Sequence, residues 1–120
     1  MGTKPQQRKR DRGALEKDIQ REICDWLFSE KYFFWRSNNL PVFSMRNDGT
    51  VKPRALPKYT PKGLPDIILL YKGKFVALEV KRPDAKLRPE QAEFGYNVVL
   101  NGGDYHRVTS LVDVINIFAK

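Results

Sequence analysis

The sequence predicts an α/β fold, a single domain in which a mixed β-sheet of four or five strands is flanked by helices. Two short apolar segments, residues 67–71 and 75–78, surround the pair Lys72-Gly73, which is the pattern of a β-hairpin. Neither segment alternates with polar residues, so both faces of these strands are expected to be covered. A helix of about a dozen residues and a further strand follow the hairpin, and such a crossover makes the joined strands parallel neighbours.

The N-terminal segment, residues 1–13, has almost no apolar side chains and is strongly basic. Its charged residues are the bases Lys4, Arg8, Lys9, Arg10 and Arg12 and the acid Asp11. A segment of this composition is predicted to stay disordered until it meets a partner. Two interpretations fit: an arm that binds nucleic acid through Arg8, Lys9 and Arg10, or a tail that only adds solubility. The folded domain is therefore placed at residues 14–120.

The first helix is predicted from Ala14 to about Ser29. Apolar residues recur there at the spacing of one helix face: Leu15, Ile19, Ile23, Trp26 and Leu27. Glu16 lies beside this stripe. It is either an acid favoured by the helix dipole or part of a functional site.

The segment after this helix predicts two strands, residues 32–36 and 40–46, followed by a long loop, residues 47–62. Three prolines in the loop, Pro53, Pro57 and Pro61, preclude a helix or a central strand. The loop also carries four bases and no acid after Asp48: Lys52, Arg54, Lys58 and Lys62. Long loops in small domains are usually functional or disordered. We interpret this one as a DNA-contacting loop rather than a merely solvated one.

Beyond the hairpin, the residues Arg82-Pro83-Asp84 form a break, and Pro89 is placed to open a helix that continues to Leu100. Gly102-Gly103 ends this helix. A strand at residues 105–109 and a last helix capped by Ser110 complete the domain.

The composition restricts the classes of function. At 120 residues the chain is long enough for one modest core, and its net charge of +8 with a pI near 9.7 favours a polyanionic partner. The single cysteine, Cys24, and the single histidine, His106, exclude an intramolecular disulfide and an ordinary zinc site within one chain. No stretch looks like a signal peptide or a membrane helix, so we expect an intracellular protein without a membrane partner.

Three ionisable residues are expected to meet at one end of the hairpin. If Lys72 and Gly73 are the turn residues, Asp66 falls directly opposite Glu79, and the strand period of two returns Lys81 to the same face. Opposed carboxylates repel each other, and a hard divalent cation, Mg²⁺ or Mn²⁺, would offset the repulsion. A bulged turn at Gly73 would instead put the two acids on different faces. An ordinary cross-strand ion pair of Lys81 is the other alternative.

Asp66 followed by the Glu79-Val80-Lys81 motif resembles the PD-(D/E)xK nuclease superfamily. Gly63, Pro65 and Gln91 make the pattern similar to one branch, the virus-type replication-repair nuclease or VRR-NUC domain, from Glu16 to about Thr109. The resemblance implies a restriction-endonuclease-like core and a metal-dependent phosphodiesterase. It makes Asp66, Glu79 and the Val80 carbonyl metal ligands, Lys81 a water-orienting base or charge stabiliser, Gln91 a supporting residue and Glu16 an additional acid.

The resemblance also implies a DNA substrate, a Mg²⁺ or Mn²⁺ cofactor and a homodimer that cuts branched DNA such as Holliday junctions. A two-fold dimer would match the symmetry of a four-way junction. Three alternatives remain at this point: a plain nicking or restriction-type nuclease, a module that binds nucleic acid without cutting it, and a protein that docks on membranes. The lack of a basic amphipathic helix disfavours the last.

Overall fold

The computed structural model describes residues 5–37, 43–53 and 57–119. In chain order the elements are α1 (Pro5–Ser29), β1 (Phe34–Arg36), β2 (Phe43–Met45), β3 (Val51–Pro53), β4 (Ile67–Tyr71), β5 (Lys74–Val80), α2 (Pro89–Leu100), β6 (Asp104–Val108) and α3 (Leu111–Phe118).

The main sheet has four strands in the order β1-β4-β5-β6. The pairs β1–β4 and β4–β5 are antiparallel, whereas β5–β6 is parallel. The helix α2 makes the crossover between the parallel strands, as the sequence predicted. The predicted α/β fold class with a mixed sheet is thus confirmed.

The turn between β4 and β5 has the predicted register, with Tyr71 opposite Lys74 and Ile67 opposite Leu78. Lys72 and Gly73 both have positive φ, 49° and 80°. A two-residue turn of this kind matches the twist of the flanking strands, although lysine is not a favoured residue for it. No bulge shifts the pairing, and extending it by one residue beyond Ile67 and Leu78 puts Asp66 and Glu79 on the same face.

One face of the sheet carries the hydrophobic core. The residues of the sheet that point to this face include Ile67, Leu69, Val76, Leu78, Val80 and Val108. They pack against Ile19, Ile23 and Leu27 of α1 and Val114 of α3. The core-facing stripe predicted for the first helix is confirmed at these three α1 positions, but Leu15 is 46% exposed.

The helix α2 covers part of the opposite face. Gly95 of α2 lies so close to the Tyr105 ring that an added Cβ would approach its Cδ1 to 2.6 Å. Farther along this face, Phe33, Trp35 and Leu70 are exposed. The aromatic segment around β1 is therefore divided, because Phe34 packs on the core while its two neighbours do not.

The two flanking helices begin as predicted. Pro89 opens α2, and the Ser110 side chain caps α3 by accepting a hydrogen bond of 3.2 Å from the Asp113 amide. Within the described ranges, none of the helices combines the length and the apolar character that crossing a bilayer requires.

Two elements differ from the sequence prediction. First, α1 begins at Pro5 rather than Ala14, so residues 5–13 are helical where a disordered arm was expected. Proline at the first helical position and the following Gln, Arg and Lys residues are compatible with this early start. Second, β3 lies inside the predicted long loop. It pairs with β2 in a separate sheet of two described strands, and proline is tolerated at the edge of such a sheet.

Candidate active site

A cleft of about 600 Å³ opens at the end of the main sheet where β4 begins and β5 ends. Its lining includes every residue that the sequence predicted for catalysis or metal binding: Glu16, Asp66, Glu79, Val80, Lys81 and Gln91. The hairpin, α1 and the start of α2 supply them. The structure therefore brings together residues that are up to 75 positions apart in the chain.

Asp66 lies immediately before β4 and is held by the neighbouring strand. Its Oδ2 accepts a hydrogen bond of 2.8 Å from the Val80 amide. Burial raises the pKa of the Asp66 carboxyl, and the hydrogen bond from Val80 partly offsets this effect. The bond fixes the carboxylate against the end of β5, beside Glu79.

Glu79 is the more deeply buried acid, with only 3% of its surface exposed. Its Oε1 accepts a hydrogen bond of 2.8 Å from Gln91 Nε2, whereas its Oε2 is buried and accepts no N–H or hydroxyl hydrogen bond from the described part of the chain. Burial, followed by the negative charge of Asp66, raises the pKa of Glu79 to about 8. With its pKa raised in this way, the Glu79 carboxyl keeps its proton when no cation is bound, and it shares a hydrogen bond with the Asp66 carboxyl.

Gln91 is equally buried, at 3% exposed, and it uses both ends of its amide. Its Oε1 accepts a hydrogen bond of 2.8 Å from the Arg88 amide, which caps the first turn of α2. This contact orients the Nε2 group toward Glu79. The start of the helix thus determines the position of the Glu79 carboxylate.

Lys81 follows the last residue of β5 and is partly buried. Its amide donates to the Val108 carbonyl at 2.9 Å, so its backbone extends the parallel pairing with β6. Its side chain forms no ion pair within the described residues, and the simple cross-strand salt bridge considered from the sequence is absent there. The charge of Lys81 still acts on the acids, because it lowers the pKa of both Asp66 and Glu79.

Glu16 reaches the cleft from α1, but Arg82 engages it. The Glu16 Oε1 lies 3.5 Å from Nη1 of Arg82 and 3.5 Å from the Arg82 amide. Glu16 therefore stands at the edge of the cleft as the partner of a cation rather than as a third free carboxylate.

The oxygen donors of the cleft fit a hard divalent cation. The described residues contain no group of three or more His, Cys, Asp or Glu side chains placed to hold one metal ion. Mg²⁺, however, commonly takes one or two carboxylates and keeps several waters. The carboxyl groups of Asp66 and Glu79 and the Val80 carbonyl are donors of that kind, so the residues present suit Mg²⁺ or Mn²⁺ and do not suit a softer metal.

The residues predicted to bind DNA lie elsewhere or outside the described ranges. Lys52, Lys58 and Lys62 are exposed, and none of them lines the cleft. Lys62 instead borders a second groove, of about 470 Å³, against α2. Arg54 lies outside the described residues. Arg8, Lys9 and Arg10 belong to the first turns of α1, and nothing is described of their side chains.

Sequence reasoning missed three basic residues of the cleft, Arg82, Lys86 and Arg88. They belong to residues 81–88, which contain four bases and one acid between β5 and α2. That density of positive charge directly after the Glu79-Val80-Lys81 motif was the available signal.

The fold is similar to that of a solved structure described as a VRR_NUC domain protein. The TM-score is 0.55 and the sequence identity 15%, over 87% of this chain and 84% of that one. No family model matches the sequence, and no curated protein does. The chain has the VRR-NUC fold, and this confirms the expectation from the motif resemblance.

Proposed function

We propose that this protein is a metal-dependent endonuclease that hydrolyses phosphodiester bonds of DNA. The observation that carries the proposal is the pairing of two partly or fully buried acids, Asp66 and Glu79, in one cleft beside Lys81. One oxygen of Glu79 accepts no N–H or hydroxyl hydrogen bond from the described residues. The VRR-NUC fold supports a nuclease, and the net charge of +8 supports a nucleic-acid substrate.

The residues that the sequence predicted for the site each have a task in this proposal. Asp66, Glu79 and the Val80 carbonyl would hold Mg²⁺ or Mn²⁺, and Gln91 would keep the Glu79 carboxyl group in place. When bound, the cation supplies an activated water and offsets negative charge on the phosphoryl oxygens. Lys81 orients the attacking water or stabilises the charge that develops on the phosphate. Glu16 holds Arg82 at the edge of the cleft.

Branched DNA is the proposed substrate, and a homodimer the proposed assembly. One cleft of this size can cut one strand per encounter, so paired cuts need two copies in a fixed relation. A two-fold dimer provides that relation and matches a four-way junction. This part of the proposal comes from the family resemblance.

A panel of DNA structures tests the proposal. Purified protein is incubated with a four-way junction, a flap and a linear duplex, in Mg²⁺, Mn²⁺ or EDTA, and light scattering gives the mass in solution. We expect the protein to cut near the branch point, and to do so only when Mg²⁺ or Mn²⁺ is present. Light scattering should give the mass of a dimer. The variant Lys81→Met, purified in parallel, controls for contaminating nucleases and should not cut. A monomer that cuts linear duplex as fast as the junction would remove the branched-substrate proposal and leave the nuclease proposal standing.

We also propose that the proline-rich segment contacts the DNA backbone. Its described bases Lys52 and Lys58 are both exposed. Each lost phosphate contact should reduce the slope of log affinity against log salt by about 0.9. Replacing Lys52, Arg54 and Lys58 together should therefore flatten the slope without changing the metal requirement. An unchanged slope would show that the segment does not touch DNA.

A further inference from the structure

The loop between β5 and α2, residues 81–88, forms one wall of the cleft. Four of its eight residues are basic and one is acidic. Lys86 and Arg88 line the same cleft as the two buried acids. The loop therefore places positive charge directly beside the groups to which a metal would bind.

This loop is tied to the sheet by one side chain, Arg107 of β6, which lies opposite Glu79 in the parallel register. Its Nε donates to the Ala85 carbonyl at 3.0 Å, and its Nη2 lies 2.6 Å from the same oxygen. The Nη2 also lies 3.1 Å from the Pro83 carbonyl and 3.3 Å from the Arg82 carbonyl. The guanidinium of Arg107 thus contacts three main-chain carbonyls of the loop.

No acid neutralises Arg107 within the described residues, so its charge is directed at the backbone of the loop. A guanidinium is suited to this because it presents several N–H groups in a fixed plane. A lysine ammonium has a shorter stem than the Nη2 group and no second nitrogen, so it would lose the paired contact of Nε and Nη2 with the Ala85 carbonyl. The conformation of the loop therefore depends on this particular side chain.

The bases of the loop are not equivalent. The positive charge of Arg82 is balanced by two acids, since its Nε lies 2.8 Å from Asp84 Oδ1 and its Nη1 lies 3.5 Å from Glu16 Oε1. Lys86 has no ion pair in the described part of the chain. Arg88 makes one contact with Glu90, from Nε at 3.4 Å, and its side chain is 64% exposed.

We infer that residues 81–88 form a phosphate-binding element, in which Lys86 and Arg88 contact phosphodiesters next to the one that is cut. Arg107 is its positioning residue, acting through the carbonyls of Arg82, Pro83 and Ala85. This inference rests on the proposed nuclease function and names how the same cleft holds its substrate. Cations there would offset the negative charge of the phosphates on either side of the one at the metal site.

Binding of a fluorescent four-way junction, measured in EDTA over a range of salt concentrations, tests the two contacts. We expect Lys86→Gln/Arg88→Gln to weaken binding and to reduce the salt slope by about 1.8, that is, about 0.9 for each lost phosphate contact. The matched control is Lys72→Gln/Lys74→Gln, which removes two charges at the turn end of the hairpin. That end is about 20 Å from Val80 at roughly 3.3 Å per strand residue, and the control should keep the wild-type slope.

The positioning role is tested with Arg107→Lys, which keeps the charge and loses the planar group. If Arg107 acts through the loop, this variant should bind junction DNA like the Lys86→Gln/Arg88→Gln variant. The two changes should also not add when combined, because they act on the same contacts. When Mg²⁺ is present, the Arg107→Lys change should raise KM for cleavage by a larger factor than it lowers kcat. Thermal unfolding monitors the fold separately.

Two results would overturn the inference while leaving the nuclease proposal intact. The first is a metal-dependent nuclease whose salt slope is unaffected by Lys86→Gln/Arg88→Gln. The second is an Arg107→Lys variant with wild-type affinity and slope. A wild-type protein that neither binds nor cuts DNA would overturn the proposed function and the inference with it.

Discussion

Gln91 Nε2 lies 2.8 Å from Glu79 Oε1, and this contact joins the start of α2 to the end of β5. Because Gln91 Oε1 accepts from the Arg88 amide at 2.8 Å, its NH₂ group is committed to Glu79. The helix therefore holds the carboxylate in one orientation. Residues that support a metal ligand in this manner have a measurable effect on metal binding.

Replacing Gln91 by Leu should weaken the binding of Mn²⁺ by about 10- to 100-fold, as is usual for the loss of a group that orients a ligand. Titration calorimetry with Mn²⁺ measures this directly. The control is Asn97→Leu, an exposed position on the same helix, which should keep the wild-type affinity. A Gln91→Leu variant that folds and binds Mn²⁺ as tightly as the wild type would show that the Gln91–Glu79 contact has no such role.

The raised pKa of Glu79 predicts how stability depends on pH in EDTA. The carboxyl has a folded pKa of about 8 against an ordinary value of 4.5, so the folded state retains its proton longer than the unfolded state. Its contribution to stability is complete below about pH 4.5 and is lost as the pH rises through 8. Relative to Glu79→Gln, which keeps the acceptor for Gln91, the wild type should lose on the order of a few kcal/mol between pH 5 and 8. Urea denaturation measures the unfolding free energy of both proteins at each pH. A wild type and a Glu79→Gln variant whose unfolding free energies change equally with pH would contradict this prediction.

Gly63 should tolerate no side chain. It has a φ of +74°, and an added Cβ would overlap the Glu90 carbonyl at the start of α2. Gly49 is the matched control, because its φ is +86° but it has open space around it. We expect Gly49→Ala to cost about 1 kcal/mol of unfolding free energy from strain alone, and Gly63→Ala about 3 kcal/mol or more because the clash adds. Equal losses in urea denaturation would mean that the loop before Asp66 moves freely away from α2.

The hairpin and its two acids were predictable because strand geometry leaves few choices. Once Lys72 and Gly73 are the turn residues, the period of two assigns every later residue to a face, and Asp66 meets Glu79. The same reasoning predicted the helix at Pro89, since proline and the apolar spacing agree there. The orientation of the Gln91 side chain could not be predicted from the sequence. It depends on the hydrogen bond that Gln91 Oε1 accepts from the Arg88 amide at the start of α2.

Tertiary contacts account for the parts that the sequence did not reveal. Glu16 lines the cleft, as the sequence predicted, but it is paired with Arg82 there. This pairing depends on how α1 crosses the sheet, and the local sequence pattern does not determine the crossing. Leu15 fits the helical stripe and is nonetheless 46% exposed, because the core ends at Ile19. The role of Arg107 was equally hidden, since its partners are main-chain carbonyls that any sequence carries.

The most direct test is the rate of cleavage of a four-way junction in Mg²⁺, with enzyme in excess, for the wild type, Asp66→Asn and Glu79→Gln. Loss of a ligand to the cation should lower the rate by about 10³-fold or more, because several kcal/mol of charge stabilisation depend on the metal. The wild type should stop cutting in EDTA, while both variants fold and still bind the junction. Cleavage that continues in EDTA, or that both variants perform at the wild-type rate, would contradict a metal-dependent nuclease centred on Asp66 and Glu79.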